Sequence, residues 1–502
     1  MRYQTGANRD QLFLTSLSEF VSDDSWARVV ELFVEAMPIE EFGFMHSRLN
    51  KEGNVPYHPK DMFKLYLYGY RHGIRSANQL ARACKINMEV KWLLKGLEPS
   101  ARKINYFRSN NTQAIKRAHE YFIRLLKQWE LVDGKTMVID GTKIRAQNGK
   151  RNNYNSKKIK RHLKHVEGNI EQYLEQLTPL ENKAKKSKSD NKKINQLKDK
   201  IRYNEQKKEQ YQELEKEIEN SEDGQVSKVD MDARAVGGKR TGIHVGYNMQ
   251  TTVDAKHKLI VDVFSGRVND CHELGKGAQR AKGLLGMDTF DILADTGYYT
   301  GSELKKCEDL TVTPYVCPKR PKEYRKDGYG KADFIYDAAL DTYLCPQNQQ
   351  LKTDGKHHRR TDRDEVKIYT SPACNTCTKQ TICSPHGRRR RIERSVYQSN
   401  KDENDKRLAA SPAYYQLRQQ MVEHVFGTLK RSWGITHAMV RGKEKVENEF
   451  TLAAICYNLT RMVNVLGMKK AKEQLKRLIL IIFKGYIPPS DLSSRQILVY
   501  PF

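Results

Sequence analysis

From Gln11 to about Trp129, apolar residues recur at three- and four-residue steps, as in Trp26, Val29, Val30 and Phe33 and again in Met62, Phe63, Leu65, Tyr66, Leu67 and Tyr70. This spacing predicts helices that turn one face to a core, one of them starting at Pro59, whose fixed φ suits a first helical turn. Between Ser76 and Gly96, Leu80, Ala83 and Cys84 face inward, Asn87 breaks the pattern, and Val90, Trp92 and Leu93 resume it. Helix, turn, helix in this form fits both a DNA-docking unit and ordinary packing within a bundle. Arg102, Lys103, Tyr106, Phe107 and Arg108 then mix cations with aromatics. A long helix from about Thr112 to Trp129 closes an all-α N-terminal domain over residues 1–130.

Short apolar runs follow. Lys135 to Ile144 reads as a strand that ends at Asp140-Gly141, a dipeptide that makes a turn as readily as it delivers a carboxylate to a sheet edge. Thr241 to Val253, a turn at Asp254 to Lys258, and Leu259 to Val263 predict a hairpin. A helix from about His272 to Leu285, a strand Phe290 to Ala294 ending in Asp295, a helix Ser302 to Cys307 and a strand Val312 to Val316 complete an α/β order. This core occupies 131–149, 222–317 and, with a last helix, 413–470; a C-terminal tail takes 471–502.

Two segments interrupt the core. In 150–221, Ile159, Leu163, Val166, Ile170, Tyr173 and Leu177 keep heptad-like spacing, and Ile194, Leu197, Ile201, Leu214 and Ile218 resume it after a break at Pro179 and Lys185 to Asp190. A projecting helical hairpin or short coiled coil is expected, either a DNA or self-association arm or a solvated insertion. In 318–412 the chain is polar and carries Cys345, Cys374, Cys377 and Cys383.

The last helix of the core runs from Tyr415 to Gly434, with Leu417, Met421, Val422, Val425, Phe426, Leu429 and Trp433 on a broad apolar stripe. At about 100° per residue, Gln416, Glu423, Lys430, Gly427 and Gly434 share a narrow sector, so an acid, a base and two glycines lie on one line. A solvated helix face has the same look, and a phosphate backbone would also find an approach there.

Charge separates the partner classes. Lysine plus arginine exceed aspartate plus glutamate by 89 to 61, a formal charge of +28, which points to an acidic polymer. Nucleic acid fits better than membrane, since the longest apolar run, Leu478 to Phe483, falls far short of the ~20 residues a spanning helix needs. The N-terminus has no signal-peptide pattern, so a cytoplasmic location with reduced cysteines is expected. Cys374 and Cys377 form a C-x2-C pair that, with Cys345 and Cys383, suits tetrahedral thiolate ligation of structural zinc. Cys317, His357, His358 and His386 compete as ligands, and unligated cysteines are the lesser alternative. The arginine run Arg388 to Arg391 suits phosphates or simply solvent.

Asp140-Gly141-Thr142-Lys143, Gly246 to Asp254, Ala294 to Tyr299, Val422 to Lys430 and Cys456 to Arg461, in this order and setting, resemble the motifs of DDE transposases of bacterial insertion sequences. The resemblance spans about Thr5 to Gly467, including a helical N-terminal domain and a four-cysteine insertion found in one branch. It implies a ribonuclease-H-like mixed sheet flanked by helices, with two divalent ions, Mg2+ or Mn2+, between Asp140, Asp295 and Glu423. Asp140 would bridge the ions, and Lys430 would touch a DNA phosphate. Tyr415, Arg418 and Arg431, with Arg102, Lys103 and Arg108, are the further DNA-contact candidates. Some branches place three residues between the Arg and the Glu, whereas four separate Arg418 from Glu423, which turns them about 140° apart on an ideal helix. Asp230, Asp232, Asp254 and Asp270 lie in the same α/β part and rank below Asp140, Asp295 and Glu423, as supports for the ligands or competitors with them.

The implied activity is transposition: binding double-stranded DNA at the terminal inverted repeats, metal-dependent cleavage, and strand transfer to target DNA by a homodimer at the nucleoid. A non-catalytic zinc-containing DNA-binding regulator is the alternative. An aspartic protease, suggested by Asp295-Thr296-Gly297, is disfavoured by the strand-then-helix setting.

Overall fold

Apolar periodicity in the first part of the chain is realised as α1 (Trp26–Glu35), α2 (Pro59–Arg71), α3 (Ala77–Ile86), α4 (Met88–Leu93), α5 (Ala101–Asn110) and α6 (Thr112–Gln128). The computed structural model of the chain describes residues 15–48, 55–221, 223–238, 242–318, 328–359, 364–384 and 389–483. The first residues of the expected helical stretch, Gln11 to Leu14, lie outside the described residues, as do His386 and Arg388. Pro59 does open α2. Asn87 ends α3 and caps α4, its Oδ1 accepting from the Val90 N–H at 3.1 Å, so the helical hairpin expected there is present. Phe33 meets Phe122 edge to face at 4.7 Å between centroids, and Phe44 stacks on Phe107 at 5.7 Å in the same core.

A six-stranded mixed sheet follows. β1 (Thr136–Arg145) leads, through β2 (Asn153–Asn155), into α7 (Ser156–Glu181) and α8 (Lys188–Glu219), and β3 (Gln225–Ser227) returns beside β2. The two long helices pack on each other along Leu177, Ile194, Leu197 and Ile201 and again through Ile159, Leu214 and Ile218. This is the helical hairpin that the heptad-like spacing predicts. β4 (Arg234–Gly238), β5 (Gly242–Asp254), β6 (Leu259–Gly266), α9 (Leu274–Leu285), β7 (Phe290–Ala294), α10 (Gly301–Asp309) and β8 (Val312–Val316) complete the sheet. β1 lies antiparallel to β5 and parallel to β7, which is parallel to β8. The long β5 takes β4 along its first residues and β6 along its last. The short, glycine-ended β4 carries no apolar alternation and was not expected from the sequence.

One expectation fails at β1. Asp140 does not end the strand; it sits in its middle, paired with Thr251, and Asp140-Gly141 makes no turn. The ladder with β5 continues to Arg145↔Gly246, so pairing overrides the local turn preference.

The cysteine-bearing segment is a second, five-stranded antiparallel sheet built from β9 (Ile335–Asp337), β10 (Thr342–Leu344), β11 (Gln350–His358), β12 (Val366–Thr370) and β13 (Ile392–Ser395), with the short α11 (Gln380–Cys383) between β12 and β13. Its own small core holds Phe334, Tyr343, Leu351, Tyr369 and Ile392. The chain then returns through α12 (Gln398–Ala410), which packs on α10 and β8.

The stretch expected as one helix from Tyr415 to Gly434 is α13 (Pro412–Phe426) followed by a π-helical turn over Gly427–Ser432. That turn breaks the single line on which Glu423 and Lys430 were expected: Glu423 is exposed, whereas Lys430 is half-buried against β1. α14 (Lys443–Leu466) lies across β6, α2 and α6. Its Asn458 clamps β6, accepting from the Ile260 N–H at 2.8 Å and donating to the Ile260 carbonyl at 2.7 Å. The residues expected as a tail from 471 instead begin within α15 (Met468–Phe483), because Ala471, Leu475 and Leu478 are buried, with α15 packed on α1 and α14.

Helical region and sheet are joined through a buried carboxylate on α14. Glu449 Oε1 lies 2.8 Å from Arg75 Nη2 and 3.8 Å from Arg108 Nη1, and its Oε2 accepts from the Met439 N–H at 2.8 Å. Arg108, expected as a DNA contact, is therefore 2% exposed and held by Glu449, Asn105 and the Arg75 carbonyl, with its guanidinium over the Tyr66 ring. Replacing Glu449 with Gln leaves two buried guanidinium groups short of a charge partner and should lower unfolding free energy by about 3 to 5 kcal/mol in urea denaturation.

Candidate active site

Side chains alternate along β1, so Met137 and Ile139 enter the large core with α6, α9 and α14, while Val138 turns to α13 and packs with Leu293, Met421 and Val422. Asp140 shares the parity of Val138 and thus faces α13. Leu293 on β7 has the same orientation, and Asp295 follows two residues later, just past the strand end. Adjacent parallel strands in this way bring two carboxylates from distant sequence positions to one place.

Asp140 Oδ1 accepts from the Gly141 N–H at 2.7 Å, and Asp295 Oδ1 accepts from the Gly297 N–H at 2.7 Å. Burial, then the neighbouring Asp295 charge, push the Asp140 carboxyl up to about 7, against the opposing pull of Arg418. Arg418 Nη1 stands 3.6 Å from Asp140 Oδ2. Tyr415, one turn earlier on α13, donates its hydroxyl to the Ala294 carbonyl at 3.1 Å, and the Arg418 guanidinium lies 5.9 Å from its ring centroid. Both residues thus belong to this site. Lys430 Nζ donates to the Lys143 carbonyl at 3.3 Å; burial lowers its pKa and the Asp140 charge opposes that.

A third aspartate, ranked low on sequence, stands beside the pair. Asp270, in the turn after β6, accepts from Asn248 Nδ2 at 2.7 Å, Gln250 Nε2 at 2.8 Å and Lys143 Nζ at 3.2 Å. Gln250 also accepts from the Tyr298 hydroxyl, and burial together with the Asp270, Asp140 and Asp295 charges holds that phenol well above its usual pKa. Gly141 is required here: an added Cβ would lie 2.5 Å from Asp270 Oδ1 and 2.6 Å from Gln250 Nε2. Asn248 and Gln250 alternate on β5 within the Gly246 to Asp254 motif, which is the signal that could have pointed to this polar cradle.

Glu423 is not gathered into this group. It is exposed on α13, and its Oε1 accepts from Gln419 Nε2 at 2.9 Å. Among the described residues, no three His, Cys, Asp or Glu side chains converge closely enough to hold a metal ion. Asp140 and Asp295 nonetheless have the donor chemistry for a hard cation: two neighbouring carboxylates, one of them raised by burial and then by the other's charge. The other candidates lie elsewhere. Arg102, Lys103 and Arg431 are exposed, the first two on α5. Asp230 accepts from the Tyr247 hydroxyl at 2.5 Å and the Gly442 N–H at 3.0 Å, Asp232 from the Lys443 N–H at 2.7 Å, and Asp254 from the Gly134 N–H at 3.0 Å.

The four cysteines of the second sheet line one cavity of about 30 Å3 together with Phe334, Leu351 and Arg390. Cys345 Sγ accepts from the Gln347 and Gln349 N–H groups at 3.4 and 3.3 Å. Burial pushes the Cys383 thiol up, and the nearby Cys374, Cys345 and Cys377 add to the effect. Cys317, by contrast, follows β8 of the main sheet.

Residues 344–463 match the family described as Transposase DDE domain, and residues 15–110 match Transposase domain (DUF772). The first match takes in the four cysteines, α13 and most of α14; Asp140 and Asp295 lie outside both. No curated protein matches the chain. Among solved structures, a piggyBac transposase synaptic complex with hairpin DNA, determined by cryo-EM, aligns over 97% of this chain and 87% of that one, at 9% identity and a TM-score of 0.31. No described helix is long and apolar enough to cross a membrane.

The opposing influences on Asp140 separate in variants. Arg418→Ala should raise the Asp140 pKa above about 7 and Asp295→Asn should lower it, read by carbon-13 NMR of aspartate-labelled protein with Asp140→Asn to assign the resonance.

Proposed function

The chain belongs to the DDE-type transposases, and we propose that it binds the terminal inverted repeats of an insertion sequence, cuts a phosphodiester there and joins the freed strand to target DNA. The observation that carries this reading is the pair of Asp140, on β1, and Asp295, just past the end of the adjacent parallel β7, edged by Arg418 and Lys430. Asp140, Asp295 and Glu423 would hold Mg2+ or Mn2+. When bound, two such ions would supply an activated water or 3′-hydroxyl and offset the phosphate charge. Asp270, held by Lys143, Asn248 and Gln250, adds its negative charge to those that raise the Asp140 pKa. Lys430 and Arg418 lie where they would engage phosphate oxygens, with Arg431 exposed beyond them.

Arg418 stands beside Asp140 while Glu423 is exposed and bonded to Gln419, so Glu423 would have to leave Gln419 and swing toward the pair to complete the carboxylate set. The π turn over Gly427–Ser432 directly follows Glu423, and π turns are frequent at functional sites. Arg102 and Lys103 on α5 would add DNA contacts away from the carboxylates. Joining two element ends calls for two copies of the chain, hence a homodimer on DNA.

In the presence of Mg2+ or Mn2+ the protein should nick duplexes carrying the element's ends, and Asp140→Asn, Asp295→Asn and Glu423→Gln should each reduce nicking to background while gel-shift binding survives. Wild-type-like nicking by all three would refute the assignment. Binding of the ends by the unaltered protein with no metal-dependent nicking would favour a non-catalytic regulator.

For the second sheet, Cys345, Cys374, Cys377 and Cys383 border one cavity, but no three of them stand close enough as placed to hold an ion, so a structural zinc there would draw the thiolates together and staple a segment with a small core. Elemental analysis of reduced protein should give about one zinc per chain, lost in Cys374→Ser/Cys377→Ser.

A further inference from the structure

α13 and the π turn after it are fastened along β1 at three levels. The Tyr414 hydroxyl donates to Asp291 Oδ2 at 2.8 Å and lies 2.8 Å from Thr136 Oγ1, the Arg418 guanidinium faces Asp140, and Lys430 Nζ reaches the Lys143 carbonyl at 3.3 Å. Tyr415 on the Ala294 carbonyl, with Met421 and Val422 against Val138 and Leu293, completes the seat. The helix therefore keeps its place without Arg418. That contact is also the loosest of the set, since Nη1 stands 3.6 Å from Asp140 Oδ2, beyond hydrogen-bond distance.

Its consequence is electrostatic. Asp140 Oδ1 is taken by the Gly141 N–H, and Oδ2 is the oxygen that Arg418 faces. A divalent ion held by Asp140 would meet a positive charge already beside that oxygen, so ion and guanidinium compete for it. The next residue engages the third acid, for Gln419 Nε2 donates to Glu423 Oε1 at 2.9 Å. Neighbouring side chains of one helical turn thus occupy two of the three carboxylates. Arg418 is 20% exposed, within reach of solvent, and its planar fork of donors suits two oxygens of a phosphate better than one carboxylate oxygen at 3.6 Å.

We propose that Arg418 is an internal competitor of the divalent cation, released from Asp140 when a phosphate of bound DNA takes its guanidinium. The proposal rests on the reading of the chain as a metal-dependent DNA-cutting enzyme and adds a control to it. The free protein holds Asp140 partly neutralised by its own arginine, and cation affinity rises once substrate is bound. Linkage makes the effect reciprocal, each ligand tightening the other by one common factor, typically about 5- to 150-fold. Release needs only side-chain rotation, because α13 is held by its other contacts.

The test reads Mn2+ binding to the full chain directly, by electron paramagnetic resonance of the free ion, with Asp140→Asn marking the binding that belongs to the site. Without DNA, Arg418→Gln should bind Mn2+ about tenfold tighter than the wild type, while Arg418→Lys, which keeps the charge, and Lys352→Gln, which removes one from the second sheet, stay within about twofold. A side chain that merely packed α13 would instead weaken binding in both Arg418 variants. A pre-cut end duplex with a 3′-deoxy terminus, which offers phosphates but no hydroxyl to transfer, should tighten Mn2+ binding to the wild type by the same factor and leave Arg418→Gln nearly unchanged. Unchanged or weaker binding by Arg418→Gln, or an equal response of both proteins to the duplex, would overturn the competition and leave the metal site standing. Mn2+ binding insensitive to Asp140→Asn would remove the metal-site reading and the proposal with it.

Discussion

The buried carboxylate of Glu449 holds together parts of the chain that lie hundreds of residues apart. It binds Arg75 and Arg108 from the helical region and the Met439 N–H from the loop that follows the π turn. Arg75 in turn donates to the Gly434 carbonyl at 2.6 Å and to the His437 carbonyl. The same loop is stitched to the end of β1, where Arg145 N–H donates to the Thr436 carbonyl at 3.1 Å and Ala438 N–H donates to the Arg145 carbonyl at 2.7 Å. A charge buried in this way is tolerated only because each of its oxygens is engaged. One consequence is that the segment carrying Arg418 and Lys430 is tethered at its far end to the strand that carries Asp140.

Strand parity then decides what the site contains. Val138 and Asp140 share a face of β1, and Leu293 leads to Asp295 on β7, so apolar contacts with Met421 and Val422 seat α13 directly above two carboxylates. The electrostatic result is a partly buried acid whose proton affinity is raised by a like charge and lowered by Arg418. Position in the middle of a paired strand fixes Asp140 more firmly than a strand end would, since both neighbours of its backbone lie in the ladder with β5.

Much of the secondary structure was legible from periodicity. The strand Val312–Val316, the break at Asn87, the helix from Thr112 and the two-helix hairpin after residue 150 follow directly from the spacing of apolar residues. The second sheet was not legible, because its strands are short and largely polar and only five side chains build its core. Arg108 looked like a surface cation within a cationic and aromatic stretch, yet its burial depends on a glutamate 341 positions later. Asp270 carried no local mark, since its importance arises from Lys143, Asn248 and Gln250 meeting it across β1 and β5.

The sequence by itself displayed the helices of the first part, the strands of the main sheet apart from β4, the basic character of the chain, and Asp140, Asp295 and Glu423 as candidate acids with four cysteines as candidate ligands. These depend on local spacing and residue chemistry, which a linear chain displays. Only the tertiary structure decided that Asp140 lies within a strand and that Arg418 rather than Glu423 stands beside it. Those outcomes depend on sheet pairing, on which face of α13 is seated against Val138 and Leu293, and on burial, which are set by contacts between residues far apart in sequence.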